Sequence, residues 1–417
     1  MTEMSRQPIA SRIEGLQVVE PAGGFDFLRG MRVVDLSSSV AGPYASMLLA
    51  DMGADVIKVE RPGGDDARGW GPPFLAGESL WFISVNRNKR SIGLDYSTPA
   101  GLQALYDLVR SSDALIVNTP PRAARKLGID ADAIRQQNPK LVYTSITGFG
   151  IDSDRADWPC YDLIAEGYSG VMDLTGDAYG EPQKVGAPAA DMLAGQDAAF
   201  ATVAALLRRQ TGGSGATVDV SLVDSMVRFL ACRIVPHMGS GDTPRRSGGK
   251  DSVIAIYQAF NTADEPITLG LGNDNIWGRF WDAIGQSVWK TDPRYATNAL
   301  RRQRREEIVA AIQDILVTAP RAHWLSLFSD ARIPAGPINR VDEVVLDAEL
   351  RKRGLFYQLQ SGEKLIPQVG TAIRVDGQTN FARSAPPEYA QHTHEILREC
   401  LGYDDAQLIA LRDNGAI

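Results

Sequence analysis

Cysteine is scarce in this chain of 417 residues: Cys160, Cys232 and Cys400 are odd in number, far apart and without metal-ligand spacing. That pattern excludes a disulfide framework and leads us to expect a reducing, cytoplasmic compartment. Only four histidines occur, and the one close pair, His392 with His394, reads as surface, so no metal site is expected. No apolar run is long enough to cross a bilayer, which sets a membrane partner aside. The first residues include Glu3 and Arg6 and no apolar segment of the kind a secretory leader carries, so no such leader is expected. A basic block is lacking too, and the formal net charge is −8, which argues against nucleic acid as a partner. Any anionic ligand must then be held by local Arg or Lys side chains or by helix N-termini.

What remains is the composition of a globular protein, 44% hydrophobic and 23% charged, in a chain longer than one core usually organises. Two domains are therefore expected. From residue 28 short β-rich runs alternate with helical patterns. Strands are expected over 31–36, 54–60, 91–94, 114–117 and 141–145, and helices over 44–52, 99–110 and 130–137, with Pro43 in the first turn of the first helix. Strand, crossover helix and strand make a parallel sheet, whose ligands bind beyond the carboxyl ends of the strands. Those ends hold residues 37–42, the run Arg61-Pro-Gly-Gly64 and the run Asn118-Thr-Pro-Pro-Arg122. The first loop lacks Gly-x-Gly-x-x-Gly, which demotes a nicotinamide-dependent dehydrogenase. Arg61, Arg68, Arg87, Lys89, Arg90, Arg122, Arg125 and Lys126 give the same edge a cationic character, which favours a phosphate-bearing ligand over ordinary solvated charge.

After the Gly-rich break at 211–216 the pattern changes. A strand is expected over 218–222, a helix over 224–235, a loop over 243–249 and two antiparallel strands over 253–260 and 266–271. A helix starting at 272–277 places Trp277, Phe280, Trp281 and Ile284 at core-facing spacing. Residues 333–338 read as a rigid turn, 341–351 as a helix, 356–365 as a strand region, and 393–401 with 404–413 as two closing helices.

Asp191 is the leading candidate for chemistry. It stands in Gly186-Ala-Pro-Ala-Ala-Asp191-Met-Leu-Ala-Gly195, among small residues that leave its carboxylate open to close approach, at the opening of an Ala-rich helix. A carboxylate so placed can attack an acyl carbon. It can also simply cap the helix, and spacing alone favours the cap.

The chain resembles the class III coenzyme A transferases, the family of formyl-CoA:oxalate and carnitine CoA-transferases and the related 2-methylacyl-CoA racemases. The resemblance runs from about Leu28 to the C-terminus and rests on several marks in order. These are Gly30-Met-Arg-Val-Val-Asp-Leu36 with Ala41-Gly-Pro43, Gly53-Ala-Asp-Val-Ile-Lys-Val-Glu-Arg-Pro-Gly63, Asn88-Lys-Arg-Ser-Ile-Gly-Leu-Asp95, Ile333-Pro-Ala-Gly-Pro337 and His392-Thr393. It implies an α/β fold with a Rossmann-like open parallel sheet in a large domain, a smaller α+β domain and an interlocked homodimer. The corresponding division is an N-terminal extension at 1–27, a large CoA-binding domain at 28–222 and a linker at 223–245. A small domain at 246–349, a return linker at 350–394 and C-terminal helices at 395–417 follow.

By the same resemblance Asp191 is the nucleophile. The expected coenzyme A contacts are Val40, Ala41, Arg61, Leu94, Asp95, Tyr96, Ser97, Asn118, Thr119, Pro120, Lys126, Cys160 and Tyr161. The implied reaction moves coenzyme A from an acyl-CoA to a free carboxylic acid through an aspartyl anhydride and an aspartyl-CoA thioester. Coenzyme A is then a substrate, and no permanently bound cofactor is expected. Val40 stands where the formyl-CoA transferases place a glutamine, Thr119 and Arg122 replace an aromatic and a glycine, and their Gly-rich loop has no counterpart beyond Gly248-Gly249. Oxalate and formate are accordingly disfavoured, and the substrate pair stays open. Phe74, Trp81, Tyr161 and Tyr168 are candidate acyl-pocket residues, though such side chains are more often core. A racemase needs a second acid–base group, and Tyr161 stands where its histidine would be; a phenol is a poor base at neutral pH. A coenzyme A-binding protein without turnover would keep the arginines and not need Asp191.

Overall fold

The computed structural model describes residues 15–21, 23–251 and 253–417. The chain divides into two compact units, one comprising residues up to Val171, Val185–Gly239 and Asp347–Ile417, the other Met172–Lys184 and Ser240–Leu346.

The first unit is built on six parallel strands: β1 (Arg32–Asp35), β2 (Asp55–Glu60), β3 (Lys89–Gly93), β4 (Ala114–Val117), β5 (Val142–Thr147) and β6 (Ala216–Ser221). Their order across the sheet is β3-β2-β1-β4-β5-β6. This is the doubly wound arrangement, in which the strand order reverses between β1 and β4 and opens a crevice at their carboxyl ends. The inner strands β1, β2 and β4 are rich in Val and Ile, and β4 is buried along its whole length. The expected strands lie within about two residues of those observed.

Helix α1 (Ala41–Asp51) follows β1, with Pro43 in its first turn where no N–H is missed. Helix α2 (Pro99–Arg110) has the expected bounds, because Thr98 caps it by accepting from the Gly101 N–H at 3.1 Å and Pro99 opens it. Helices α3 (Pro121–Leu127) and α4 (Ala131–Gln137) follow β4. Between β5 and β6 come α5 (Asp162–Ser169) and the 22-residue α6 (Ala189–Gln210), and α7 (Leu222–Phe229) follows β6. α6 lies on α1 by a close backbone approach. A Cβ built on Gly195 would stand 2.6 Å from the Ala41 carbonyl oxygen, so only glycine fits there.

The edge of the sheet at β3 is closed by the C-terminal segment. His392 donates its backbone N–H to Ser91 O (2.8 Å) and accepts the Ser91 N–H on Nδ1 (3.1 Å), while Thr393 Oγ1 accepts from Gly93 (3.0 Å). His392 is thus a half-buried structural residue, not the surface residue expected, whereas His394 is exposed.

Four other expectations need correction. Residues 333–338 are not a plain turn: Ala335–Pro337 is a strand antiparallel to Ile267–Gly270, at an edge where a proline costs no ladder bond. The helix expected over 224–235 is two helices, α7 and Ala231–Ser240, because Ser221 caps the first at Asp224 and Leu230 ends it. The helix over 341–351 breaks at Asp347, which caps Ala348–Lys352 by accepting from Leu350 (2.8 Å). The strand region at 356–365 is a hairpin, Phe356–Ser361 with Lys364–Val369, joined by a parallel strand at Gln17–Val19.

The second unit holds an antiparallel sheet, Tyr257–Phe260, Ile267–Gly270 and Ala335–Pro337, over an aromatic core. Trp277, Phe280 and Trp281 are fully buried, as their helical spacing predicts, and Ile284 packs at the margin. Trp281 stacks on Trp289 at 4.8 Å, Trp289 on Tyr295 at 4.8 Å, and the Arg301 guanidinium lies 4.4 Å from the Trp277 ring centre.

Candidate active site

The crevice at the β1–β4 switch is pinned from both sides. Asn118, just past β4, accepts the Ser38 N–H on Oδ1 (3.0 Å) and donates Nδ2 to Ser38 O (2.8 Å). The Ser37–Val40 loop therefore cannot move without Asn118. It is also held from beneath by ionic groups. Lys58, on β2, donates to Ser37 O (2.8 Å) and pairs with Asp65 (2.8 Å), both side chains being buried. Asp65 in turn accepts from the Ser39 N–H (2.9 Å), whose residue has a φ of +70°. Lys89 joins Asp35 (3.0 Å), Pro43 O (2.8 Å) and Asn86 (2.7 Å). Burial pushes Asp35 up, but Lys89 and Lys58 outweigh it and hold the carboxyl well below its ordinary range. The result is a rigid first turn of α1, whose N-cap Val40 contributes no side-chain acceptor.

Val40 and Ala41 sit at that first turn, and Leu94 and Tyr96 in the loop after β3; all four side chains are buried, so a ligand would meet their backbone. Arg61 is exposed beyond β2, 5.9 Å from the Tyr96 ring centre, and with Gly63, Gly64, Asp66, Asp95 and Ser97 it lines a groove of about 380 Å³. Asp95 orders its own loop, accepting from Ser97 N (2.9 Å) and Oγ (2.6 Å) and donating its N–H to Ala416 O (2.8 Å). Thr119 is half-buried, Pro120 is the N-cap residue of α3, and Lys126 is exposed in its last turn, outside the Arg61 groove. A larger cavity of about 630 Å³, lined by Lys89, Gln360, Lys364 and His392 among others, contains none of the expected contacts.

The cationic edge contracts to Arg61, Arg122, Arg125 and Lys126. Arg68 is bidentate on Glu60 (both 2.7 Å), Arg87 is buried on Asp51 (2.6 Å), Lys89 is buried as described and Arg90 is paired with Asp55 (2.7 Å). The physical reason is direction: residues 87–90 precede or open β3 and so lie at the amino end of the strand.

Asp191 is the third residue of α6, not its N-cap, which is Pro188 and supplies no side-chain acceptor. The cap comes instead from Asp162, the first residue of α5, whose Oδ1 accepts the N–H groups of Ala190 (2.8 Å) and Asp191 (3.2 Å). The cap reading of Asp191 therefore falls. Among the described residues no hydrogen bond or ion pair reaches the Asp191 carboxylate; burial, and then the Asp162 charge, push it up to about 7. Cys160 lies near enough to feel the Asp191 charge, its thiol pushed up to about 11 by burial and by Asp191, and it packs so close to Gly148 after β5 that a Cβ there would be 2.3 Å from its own. Tyr161 is 72% exposed beside them. Trp158 and Tyr168, both exposed, flank the Phe149 ring at 5.7 and 5.2 Å. Phe74 and Trp81 are also exposed, so none of the four aromatics singled out is core. Asp162 was not among the expected site residues. The sequence signals only the need: a helix behind Pro188 has no local cap and requires an acceptor from elsewhere, without marking Asp162 as the one that supplies it.

A doubly wound sheet, a pinned switch-point crevice and a half-buried carboxylate that no described residue pairs with are the features of a ligand-binding α/β fold. The chain belongs to CoA-transferase family III, whose family model matches residues 28–393, and it is a CoA-transferase. It is similar to the succinate–glutarate CoA-transferase of Agrobacterium fabrum, 38% identical over 89% of this chain and 95% of that one. It is also similar to the succinyl-CoA:glutarate CoA-transferase of Mus musculus (36%; 94% and 90%) and the acetyl-CoA:oxalate CoA-transferase of Acetobacter aceti (34%; 86% and 90%). Among solved structures, a CaiB/BaiF family protein from Brucella suis aligns with a TM-score of 0.80 at 35% identity, over 89% of this chain and 98% of that one.

Proposed function

We propose that the protein transfers coenzyme A from a dicarboxylic acyl-CoA such as succinyl-CoA to a free dicarboxylic acid such as glutarate, with Asp191 as nucleophile. The observation that carries this is the Asp191 carboxylate, half-buried on the first turn of α6 and, among the described residues, without a hydrogen-bond or ion-pair partner. A structural carboxylate in that position would be paired or hydrogen-bonded.

Asp191 attacks the thioester carbon, the C–S bond breaks, and an anhydride and coenzyme A thiolate result. The thiolate attacks the aspartyl carbon of the anhydride and expels the donor acid, leaving an aspartyl thioester. The acceptor carboxylate attacks that thioester, releasing thiolate, which then takes the acyl group from the new anhydride and frees Asp191. Every step exchanges one acyl bond for another, so the protein's task is positioning and exclusion of water. Arg61 and the groove around it are the proposed seat of the coenzyme A phosphates, with the exposed Lys126 and the Asn118–Pro120 loop along the same strand ends. The relatives named for succinate and glutarate support the dicarboxylate choice.

We also propose a homodimer. Phe200, Val203 and Leu207 form an exposed apolar stripe on α6, and the helix Ala231–Ser240 buries none of its residues, with Val235 and Met238 exposed. Such surface calls for a partner.

The test is mass spectrometry of coenzyme A products with succinyl-CoA as donor and glutarate as acceptor, with hydroxylamine trapping of the labelled aspartate. Glutaryl-CoA formed in proportion to enzyme, with Asp191 as the trapped residue, is the expected result. Transfer undiminished in Asp191→Ala would overturn the mechanism.

A further inference from the structure

The first turn of α6 contains a local contradiction. A 22-residue helix needs acceptors for its leading N–H groups, and an uncharged Ser or Asn at position 188 would supply one. The chain instead has Pro188 there and brings a carboxylate from another helix, 28 and 29 residues back in sequence, onto the N–H groups of Ala190 and Asp191 (2.8 and 3.2 Å). That choice sets two acidic side chains against one helix terminus. Among the described residues no cation forms an ion pair with either carboxylate. The first two turns of α1 facing α6 carry no charged residue, and Tyr44 is the group beside Gly195. On α5, Glu166 is occupied with the Val185 N–H (2.8 Å). The Cys160 thiol is held neutral by burial. From α7, Arg228 and Ser225 are engaged with Asp197, two turns further along α6. Sequences break local rules of this kind chiefly where function requires it.

We propose that Asp162 is a positioning residue for the transfer reaction: its carboxylate fixes the turn that carries Asp191, and its charge favours the acylated, uncharged form of that side chain. This rests on Asp191 being the nucleophile. Free Asp191 carries a negative charge beside Asp162, whereas the anhydride and the aspartyl thioester carry none. Acylation removes the repulsion, so part of the cost of the unpaired pair is returned as the C–O bond forms. A more basic carboxylate is also the better nucleophile. The elevation of Asp191 has this pair as one of its two causes, the other being burial.

Charge and geometry separate cleanly in two variants. Asp162→Asn keeps an oxygen to accept the two N–H groups and loses the charge; Asp162→Ala loses both. In the full-length enzyme with succinyl-CoA and glutarate, Asp162→Asn should shift the acid limb of kcat/KM down by about one pH unit and lower kcat at pH 8 by roughly tenfold, with its melting temperature unchanged or higher. Asp162→Ala should lose more activity and melt lower, and Asp162→Glu should recover part of the rate. A pH profile of Asp162→Asn superimposable on the wild type, with unchanged kcat, would refute the inference. If Asp191→Ala is inactive and the Asn profile does not move, Asp162 alone is wrongly assigned. If Asp191→Ala is active, the nucleophile reading has failed and this inference with it.

Discussion

On the proposed mechanism, the environment of Asp191 bears on both rate and stability. Its carboxyl is raised from 3.8 to about 7 by burial and the Asp162 charge, and only its ionised form can attack. We expect kcat/KM for acyl-CoA to rise with pH to a plateau above about 7, an acid limb absent from reactions that use no carboxylate. The stability consequence has the opposite sense. Below about pH 4 the group is neutral in both folded and unfolded chains and costs nothing. Between the two pKa values the unfolded chain ionises first, so stability is lost as pH rises toward 7 and stays lost above it. Asp191→Asn should therefore abolish transfer, by a factor on the order of 10³ or more, yet raise stability by about 1–4 kcal/mol at pH 8 and by less than about 1 kcal/mol at pH 4. Urea titrations of the two proteins at both pH values check it; destabilisation at pH 8 would restore the cap reading. Arg61→Ala, by contrast, should raise KM for acyl-CoA with little change in kcat, since the phosphate contact proposed for it, remote from the reacting carbon, would bind ground and transition states alike. Of these residues, Asp191 stands out in the sequence by its small neighbours, and its nucleophilic role is what the family resemblance implies. Asp162 was not, because its partnership spans 28 residues and only the fold closes that distance.

At the scale of elements, β1, β2 and β4 were readable because each is a short run rich in branched side chains, and α2 because Thr98 and Pro99 mark its start. Pairing was not readable: the order β3-β2-β1-β4-β5-β6 depends on long-range contacts that leave no local mark. Direction within a strand mattered as well, since it removed Arg87, Lys89 and Arg90 from the ligand edge. Two element-level predictions follow from how the first turn of α1 is held. Lys58→Met strands Asp65 as an unpaired buried charge and frees the Ser37–Val40 loop, so stability should fall by about 3–5 kcal/mol and KM for acyl-CoA should rise, measured by urea unfolding and initial rates. Gly195→Val forces α6 off Ala41, which stands 2.6 Å from where the new Cβ would lie. A loss of about 1–3 kcal/mol and a lower kcat are expected, and wild-type behaviour would mean that the helix contact does not set the position of Asp191.

For the molecule as a whole, the apolar stripe of Phe200, Val203 and Leu207 makes the oligomeric state a prediction. Light scattering should give a dimer mass at micromolar concentration, and Phe200→Glu with Leu207→Glu should shift it toward the monomer. A wild-type monomer would require another occupant for that face.

The aromatic stack of the second unit bears on how any of this is observed. Trp277, Trp281, Trp289 and Trp324 belong to that unit, and Trp277, Trp281 and Trp324 are buried, while Trp81 and Trp158 in the first unit are already exposed and Trp70 is partly so. Intrinsic emission on heating is therefore a thermometer for the smaller unit, which does not contain Asp191. A thioester that tightens only the first unit would leave the fluorescence midpoint nearly still, and a screen read in that channel would discard true ligands. Calorimetry, or a tryptophan placed in the first unit's core, would register them.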